Sequence, residues 1–393
     1  MNWILSSCLA ASLIAGLAAA EEGGRAKSGA TAQAKWTNGP PSDPAYFPIA
    51  VWLQDPRQAS RYKEAGINLY VGLWQGPTDA QLAALKAAGM PVVCDQNAVG
   101  LRHRDDPTIV AWMHGDEPDN AQSLGKGKGY GPPILPATIV ADYQRIRAAD
   151  PTRPVLLNLG QAVAWDKWHG RGVRTNHPED YPEYAKGGDI VSFDIYPVVH
   201  SHADVRGNLW YVARGVERLR KWAGDAKPVW NCIECTRIGS DTKPTPHQLK
   251  AEIWMSLIHG SKGIIYFVHE WKPKFNEHAL LDDPEMLEAA TAINKQIREL
   301  APVLNSPDPP AAAKVASSNK DVPVALMHKV HAGSAYLFAV ALRDGAAKAS
   351  FEVGGIPPSA TAHVLGEARQ LPVRDGRFED DFQGYQVHLY QIK

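Results

Sequence analysis

The sequence predicts a (β/α)8 TIM barrel over residues 45–306, followed by a small antiparallel β-sandwich domain over residues 320–393. Three observations carry that expectation. Between Phe47 and Ser306, short β-type runs alternate with longer helix-patterned stretches, the mark of parallel β-α units. Those units number eight, and beyond Ser306 the pattern changes to short alternating strands without helices. The 393 residues accommodate a barrel of about 250 residues and a second, smaller core.

At the start of the chain, the run from Trp3 to Ala20 is apolar and ends in Ala18-Ala19-Ala20 ahead of Glu21-Glu22. That is how a secretory signal and its small-residue cleavage site read. Residues 1–20 are therefore expected to be removed, leaving a secreted or periplasmic chain with a linker over residues 21–44. No later segment has the roughly 18 continuous apolar residues that a membrane span needs.

The eight strands are read at 47–54, 67–74, 91–97, 109–115, 154–160, 189–198, 227–235 and 261–271. Of the helices between them, 78–88 opens on a capping box of Thr78 and Gln81, carries Leu82 and Leu85, and stops at Gly89. Helix 134–149 sets Ile139, Tyr143 and Ile146 on one stripe, and the helix near 98–104 is short. Connections from helix to strand are tight, as at Ala65-Gly66, Gly89-Met90 and Gly187-Gly188, whereas those from strand to helix at 118–133, 161–180, 199–207 and 271–284 are long. Long loops at one end only build a cleft there, and in barrels that end is the C-terminal face of the strands. A glycine-rich loop at 125–131 and the loop holding Trp165, Trp168 and His169 suit a rim that is flexible or stacks on sugars. Past Ser306, Pro307-Asp308-Pro309-Pro310 and an alanine run read as a linker over 307–319, with Asp344-Gly345 and Asp375-Gly376 as hairpin turns of the β domain.

With 41 basic and 42 acidic residues and no sustained basic run, the chain lacks the electrostatic footprint of a nucleic-acid binder. A neutral substrate is expected, with no nucleic-acid or membrane partner. Once Cys8 leaves with the signal, Cys94, Cys232 and Cys235 remain, an odd number that does not form a disulfide framework. Cys232 and Cys235, three apart on a strand, point to opposite faces, which argues against a zinc or redox pair. No cofactor and no metal are expected.

The residues that could carry chemistry lie at strand tips. Strand four ends in His114-Gly115-Asp116-Glu117-Pro118-Asp119. Pro118 stops the ladder, and a carboxyl facing sugar rather than water can have its pKa raised for use as a general acid. Strand seven ends in Asn231-Cys232-Ile233-Glu234-Cys235, and an acid at the tip of an apolar strand calls for a partner or a role. Retaining glycosidases need two carboxyls about 5 to 5.5 Å apart, and Glu117 and Glu234 are expected to meet across the barrel mouth. On strand six Ser192, Asp194 and Tyr196 share the inward face, with Tyr196 placed to hydrogen-bond the nucleophile. Trp271, after His269-Glu270, can stack on a pyranose. Asn158, Trp52, Asp95 and Asn97 also fall near strand ends, suited to hydroxyl contacts.

A glutamate after strand four, a tyrosine after strand six, a glutamate after strand seven, a tryptophan after strand eight and a trailing β domain together resemble clan A of the retaining glycoside hydrolases. The resemblance implies that Glu117 is the acid/base and Glu234 the nucleophile of a double displacement on a β-linked oligo- or polysaccharide, with Asp116, Asn158, Asp194, Tyr196, Trp52 and Trp271 around the sugar. The chain departs from the clan in carrying Asp116 where an asparagine is usual, and in lacking an arginine between Leu69 and Gly76. Two other classes remain open: a metal-dependent barrel hydrolase, although strand one ends Trp52-Leu53-Gln54-Asp55 without an H-x-H, and a catalytically silent carbohydrate-binding barrel.

Overall fold

A computed structural model describes residues 36–393; the expected signal segment and most of the linker at 21–44 lie outside the described residues. Eight parallel strands close into a barrel in chain order: β1 (Ile49–Trp52), β2 (Leu69–Val71), β3 (Val92–Asp95), β4 (Ile109–Met113), β5 (Val155–Leu159), β6 (Ile190–Asp194), β7 (Val229–Glu234) and β8 (Ile264–Phe267). The strands are mostly apolar on both faces because both are covered, the exceptions on β5, β6 and β7 being Asn158, Ser192, Asp194, Asn231 and Glu234. Ala50, Leu69, Val71, Val93, Ala111, Leu156, Trp230, Cys232 and Ile265 fill the interior, while Ile49, Val51, Val92, Val191, Phe193 and Ile233 pack outward with the helix layer. Cys232 and Cys235 accordingly belong to different cores, and both are free thiols.

The helix layer comprises α1 (Ala59–Glu64), α2 (Asp79–Ala88), α3 (Ala98–Arg102), α4 (Pro136–Ala149), α5 (Tyr181–Tyr184), α6 (Trp210–Ala223), α7 (Pro246–Ile258) and α8 (Pro284–Leu304). Both halves of the Thr78–Gln81 capping box form at the start of α2, which ends on Gly89 in the left-handed conformation at φ 60°, a position where a Cβ is disfavoured. A second capping box, Thr245 with Gln248, opens α7. Among the described residues no helix is long and apolar enough to cross a membrane.

The C-terminal domain is one eight-stranded antiparallel sheet. Its strands are β9 (Ala313–Ser317), β10 (Val324–His331), β11 (Ser334–Ala341), β12 (Ala347–Val353), β13 (Ser359–Val364), β14 (Gln370–Arg374), β15 (Arg377–Phe382) and β16 (Val387–Ile392). They lie in the order β10-β11-β16-β13-β14-β15-β12-β9, and the edge strands β9 and β10 touch. The two layers expected of a sandwich are thus made by one sheet curled over a core that includes Leu337, Phe351, Phe378, Phe382 and Tyr390. Two sequence readings need correcting. The segment 307–319 is not all linker, because Ala313–Ser317 pairs with β12. Asp344-Gly345 is not a hairpin turn, because β11 and β12, which it joins, lie apart in the sheet. The reading holds for Asp375-Gly376, which turns β14 into β15 with φ of 47° and 75°, the doubly left-handed turn that a two-residue hairpin favours.

The sheet docks on the helix layer through the Trp254 and Phe338 rings, 5.3 Å apart, the Arg343 guanidinium 4.3 Å over Trp210, and the Tyr385 hydroxyl donating to the Gly207 carbonyl at 2.7 Å.

At the other end, fully buried Arg171 pins the long loop after β5 to the tip of β4. It pairs with Asp180 at 2.7 Å and donates to the carbonyls of Asp119 at 3.1 Å and His177 at 2.8 Å. Removing one partner of a buried pair leaves the other charge uncompensated. Asp180→Asn is expected to cost about 3 to 5 kcal/mol in urea unfolding because it leaves the buried Arg171 charge uncompensated, with Arg171→Met costing less because Asp180 keeps its pair with Arg174.

Candidate active site

The cleft opens at the C-terminal ends of the barrel strands, with a volume of about 790 Å³. Trp52, Trp74, Phe267, His269, Trp271 and Phe275 wall it, and Asp116 opens into it. Trp74, Trp271 and Phe275 are 68%, 49% and 59% exposed, unusual for large aromatic rings unless they await a ligand. The wall is fixed from behind. Tyr62 donates to Gln54 at 2.5 Å, and the Gln54 amide contacts His269 Nε2 at 3.2 Å and donates to the Glu277 carbonyl at 2.7 Å. Phe267 stacks on Trp271 with centroids 5.9 Å apart.

Beside Asp116, the chain leaves β4 with Glu117 at φ 42°, a conformation uncommon for a residue with a Cβ and one that clusters at functional sites. What holds it there is a set of polar contacts. Asn120 Nδ2 donates to Glu117 Oε2 at 2.8 Å, while Asp119, wholly buried, accepts the Gly160 amide at 2.9 Å and the Tyr181 hydroxyl at 2.7 Å. The strained turn therefore aims Glu117 inward, where its carboxyl hydrogen-bonds that of Asp194 on β6. Tyr196, on the same inward face, favours charge on Asp194. Asn158 on β5 donates to Asp116 Oδ1 at 2.9 Å and accepts the Ser192 hydroxyl at 2.7 Å.

Three carboxyls drawn into one enclosed region cannot all ionise. Burial, then the neighbouring Asp194 and Asp116, raise Glu117 well above the carboxylate range. Burial raises Asp194 to about 7, opposed by its hydrogen bond from Glu117. Burial raises Asp116 to about 6, opposed by the Asn158 amide. Glu117 is thus the proton holder, donating to Asp194, and Asp116 the first to ionise.

The structure gives Glu117 and Glu234, expected as a pair, different partners. Glu234 is fully buried and Glu117 half-buried, and neither is among the residues lining the cleft. Its Oε1 and Oε2 accept the backbone amides of Val198 and Val199 at 2.6 and 3.1 Å, and Glu252 of α7 hydrogen-bonds to it. The chain after Tyr196 presents two consecutive amides, which compensate a buried carboxylate. Tyr196 favours charge on Asp194. Of the other predicted residues, Trp52, Trp271 and Asp116 line the cleft, and Asn158 and Asp194 support the carboxyl cluster. Asn97 is the N-cap of α3, accepting the Gly100 amide at 2.8 Å. Asp95 lies exposed at the tip of β3, outside the cleft lining. Trp165 is buried against His200 and His202 instead of forming a rim.

Sequence reasoning missed Trp74, Phe275, Gln54 and Glu277 of the cleft. Trp74 carried a signal, since an aromatic one residue before a Gln-Gly-Pro turn at a strand end is hard to bury. Among the described residues no group of three or more His, Cys, Asp or Glu side chains is arranged to hold a metal ion.

No family model and no curated protein matches this chain. Among solved structures it is similar to a variant of AmyP in complex with maltotriose, at 9% identity over 92% of this chain and 98% of that one, with a TM-score of 0.54. It is also similar to a putative alpha-galactosidase from Bacteroides fragilis, at 10% identity over 89% and 79% of the two chains, with a TM-score of 0.51. At such identities the likeness establishes the fold, an eight-stranded parallel barrel with a C-terminal β domain.

Buried carboxyls with raised pKa values also set the pH dependence of stability. In the unfolded chain Glu234 releases its proton near 4.5, whereas in the native protein burial holds it to about 7, and Glu252 is held higher still by burial and the charge of Glu234. Between these values the native state binds more protons than the unfolded one, so stability falls as pH rises. Urea unfolding at intervals from pH 4.5 to 8 is expected to show that decline. Glu252→Gln, which cannot ionise yet can still donate to Glu234, is expected to make it shallower.

Proposed function

We propose that this protein is a glycoside hydrolase that binds an oligo- or polysaccharide along the aromatic cleft and cleaves it with Glu117 as the acid and base. The observation that carries the reading is the proton-holding carboxyl of Glu117, fixed in a left-handed turn beside the cleft and backed by Asp194. Apolar C–H faces of pyranoses stack on tryptophan, and an open wall of Trp74, Trp271 and Phe275 suits a ribbon-like β-linked chain whose successive rings present those faces. Export, as the signal-like first twenty residues suggest, would bring such an enzyme to polymers outside the cell.

In this mechanism Glu117 leaves Asp194 and gives its proton to the leaving glycosidic oxygen. Asp116, ionised at neutral pH and exposed to the cleft, stabilises the positive charge that grows on the anomeric carbon. Glu117, now a base, takes a proton from the incoming water. Because one group serves both steps, water enters on the face the leaving group vacated, so the anomeric configuration is retained. Asp194 is a positioning residue that holds the proton on Glu117 between turnovers.

Glu117→Gln is expected to lower kcat on natural oligosaccharides by about 10² to 10⁴, and less on aryl glycosides whose leaving groups need no proton. A Glu117→Gln enzyme with unchanged turnover on both substrate types would falsify the assignment. Asp194→Asn removes a negative charge beside Glu117 and so lowers its pKa. The basic limb of the kcat/KM profile should therefore move to lower pH, a shift that a merely structural role would not produce. Trp271→Ala should raise KM several-fold, at about 0.5 to 1.5 kcal/mol per stacked ring lost, with kcat little altered. A panel of nitrophenyl glycosides and polysaccharides, with the first product anomer followed by NMR, tests both β-linkage and retention. Binding without turnover across that panel would instead favour a carbohydrate-binding barrel.

A further inference from the structure

A second cavity, about 1010 Å³, lies at the opposite end of the barrel, between the N-terminal ends of β7 and β8, the end of α8 and strand β10. Four basic residues line it, Arg220, Lys227, Lys262 and Lys329, against two acidic ones, Asp225 and Asp308. Their positions are fixed by backbone carbonyls. Lys262 Nζ donates to Leu304 at 3.3 Å, Lys329 Nζ to Ser306 at 2.7 Å, and Arg220 to His259 at 3.0 Å. The first two of those carbonyls belong to the last turn of α8 and the residues just after it, a place where cations are favoured.

Capping accounts for where the two ammonium groups sit, yet it leaves their charges mutually repelling. Lys329 is 3% exposed and its ammonium pairs with Asp308 at 2.7 Å. The Asp308 carboxyl is held below its ordinary range by Lys329, then by Lys262 and Arg220. One carboxylate thus answers to three cations. Lys262 is pushed down to about 8, first by burial and then by the charge of Lys329, with Arg220 adding to the effect and Asp308 opposing it.

From this arrangement we infer that the cavity is a binding site for a compact oxyanion carrying two or more negative charges, held by Lys262, Lys329 and Arg220. Such a ligand supplies the charge that Asp308 alone does not, and its oxygens match ammonium and guanidinium donors. It would bridge barrel and β domain, since Lys262 and Arg220 come from the first and Lys329 from the second.

The probe is inorganic phosphate, titrated into the purified full chain against sodium chloride at equal ionic strength, with calorimetry for affinity and thermal unfolding for linkage. Saturable phosphate binding with a rise in Tm that chloride does not reproduce is expected. Lys262→Met should weaken it about tenfold or more. Asp308→Asn, which removes the competing carboxylate, should tighten it by roughly three- to tenfold. Lys126→Gln, in the exposed loop at 125–131, should change nothing. The inference is overturned if phosphate and chloride act alike, or if Asp308→Asn weakens or leaves unchanged the affinity. It is also overturned if Lys126→Gln matters as much as Lys262→Met. Should Lys262→Met fail to fold, the opposite sign required of Asp308→Asn still decides the matter. Glycosidase activity is no part of the readout, so this site and the cleft stand or fall separately.

Discussion

The hydrogen bond between the carboxyls of Glu117 and Asp194 is the constraint around which the mouth of the barrel is organised. Two coupled acids in one site do not ionise independently, and every neighbouring contact helps decide which one keeps the proton. Tyr196 favours charge on Asp194, Asn158 favours charge on Asp116, and the left-handed turn at Glu117 brings the third carboxyl to the other two. Asp119 belongs to the same strand tip but does a different task. Its carboxyl is spent on Gly160 and Tyr181, so the turn is anchored by one acid and armed with another.

The barrel was legible because its signal is repeated. Eight apolar runs with polar punctuation and tight helix-to-strand turns leave little alternative, and capping residues such as Thr78 with Gln81 act locally, within one turn of the helix they start. The curled β domain was read less well for a matching reason: whether Asp344-Gly345 joins neighbours or crosses the sheet depends on pairing partners far away in sequence, to which a turn dipeptide is blind. Strand alternation did find the inward faces of β6, and hence Asp194 and Tyr196.

Glu234 shows where periodicity stops being informative. In register it lies opposite Phe267, a residue of the cleft wall, so alternation alone sends it toward the substrate. Its carboxyl goes instead to whichever donors compensate its burial, and those are the amides of Val198 and Val199, in a loop whose path the sequence of β7 does not encode. Two acidic residues at strand tips can therefore look alike in sequence and differ in everything that matters for chemistry. What separates Glu117 is that burial is reinforced by other acids, which hold its proton more firmly, whereas at Glu234 backbone donors and Glu252 oppose the burial that raises it.

Both arrangements weaken the fold at neutral pH, since each keeps protons that the unfolded chain would release. At the mouth that penalty has a counterpart in chemistry: a carboxylic acid able to donate near neutrality requires surroundings that disfavour its anion. At Glu234 and Glu252 no such chemistry reaches the cleft, and the compensating gain is structural. A carboxylate that accepts two consecutive amides fixes the chain immediately after Tyr196, and that segment orients the tyrosine toward Asp194. The buried pair beside α7 thereby fixes the backbone that follows Tyr196.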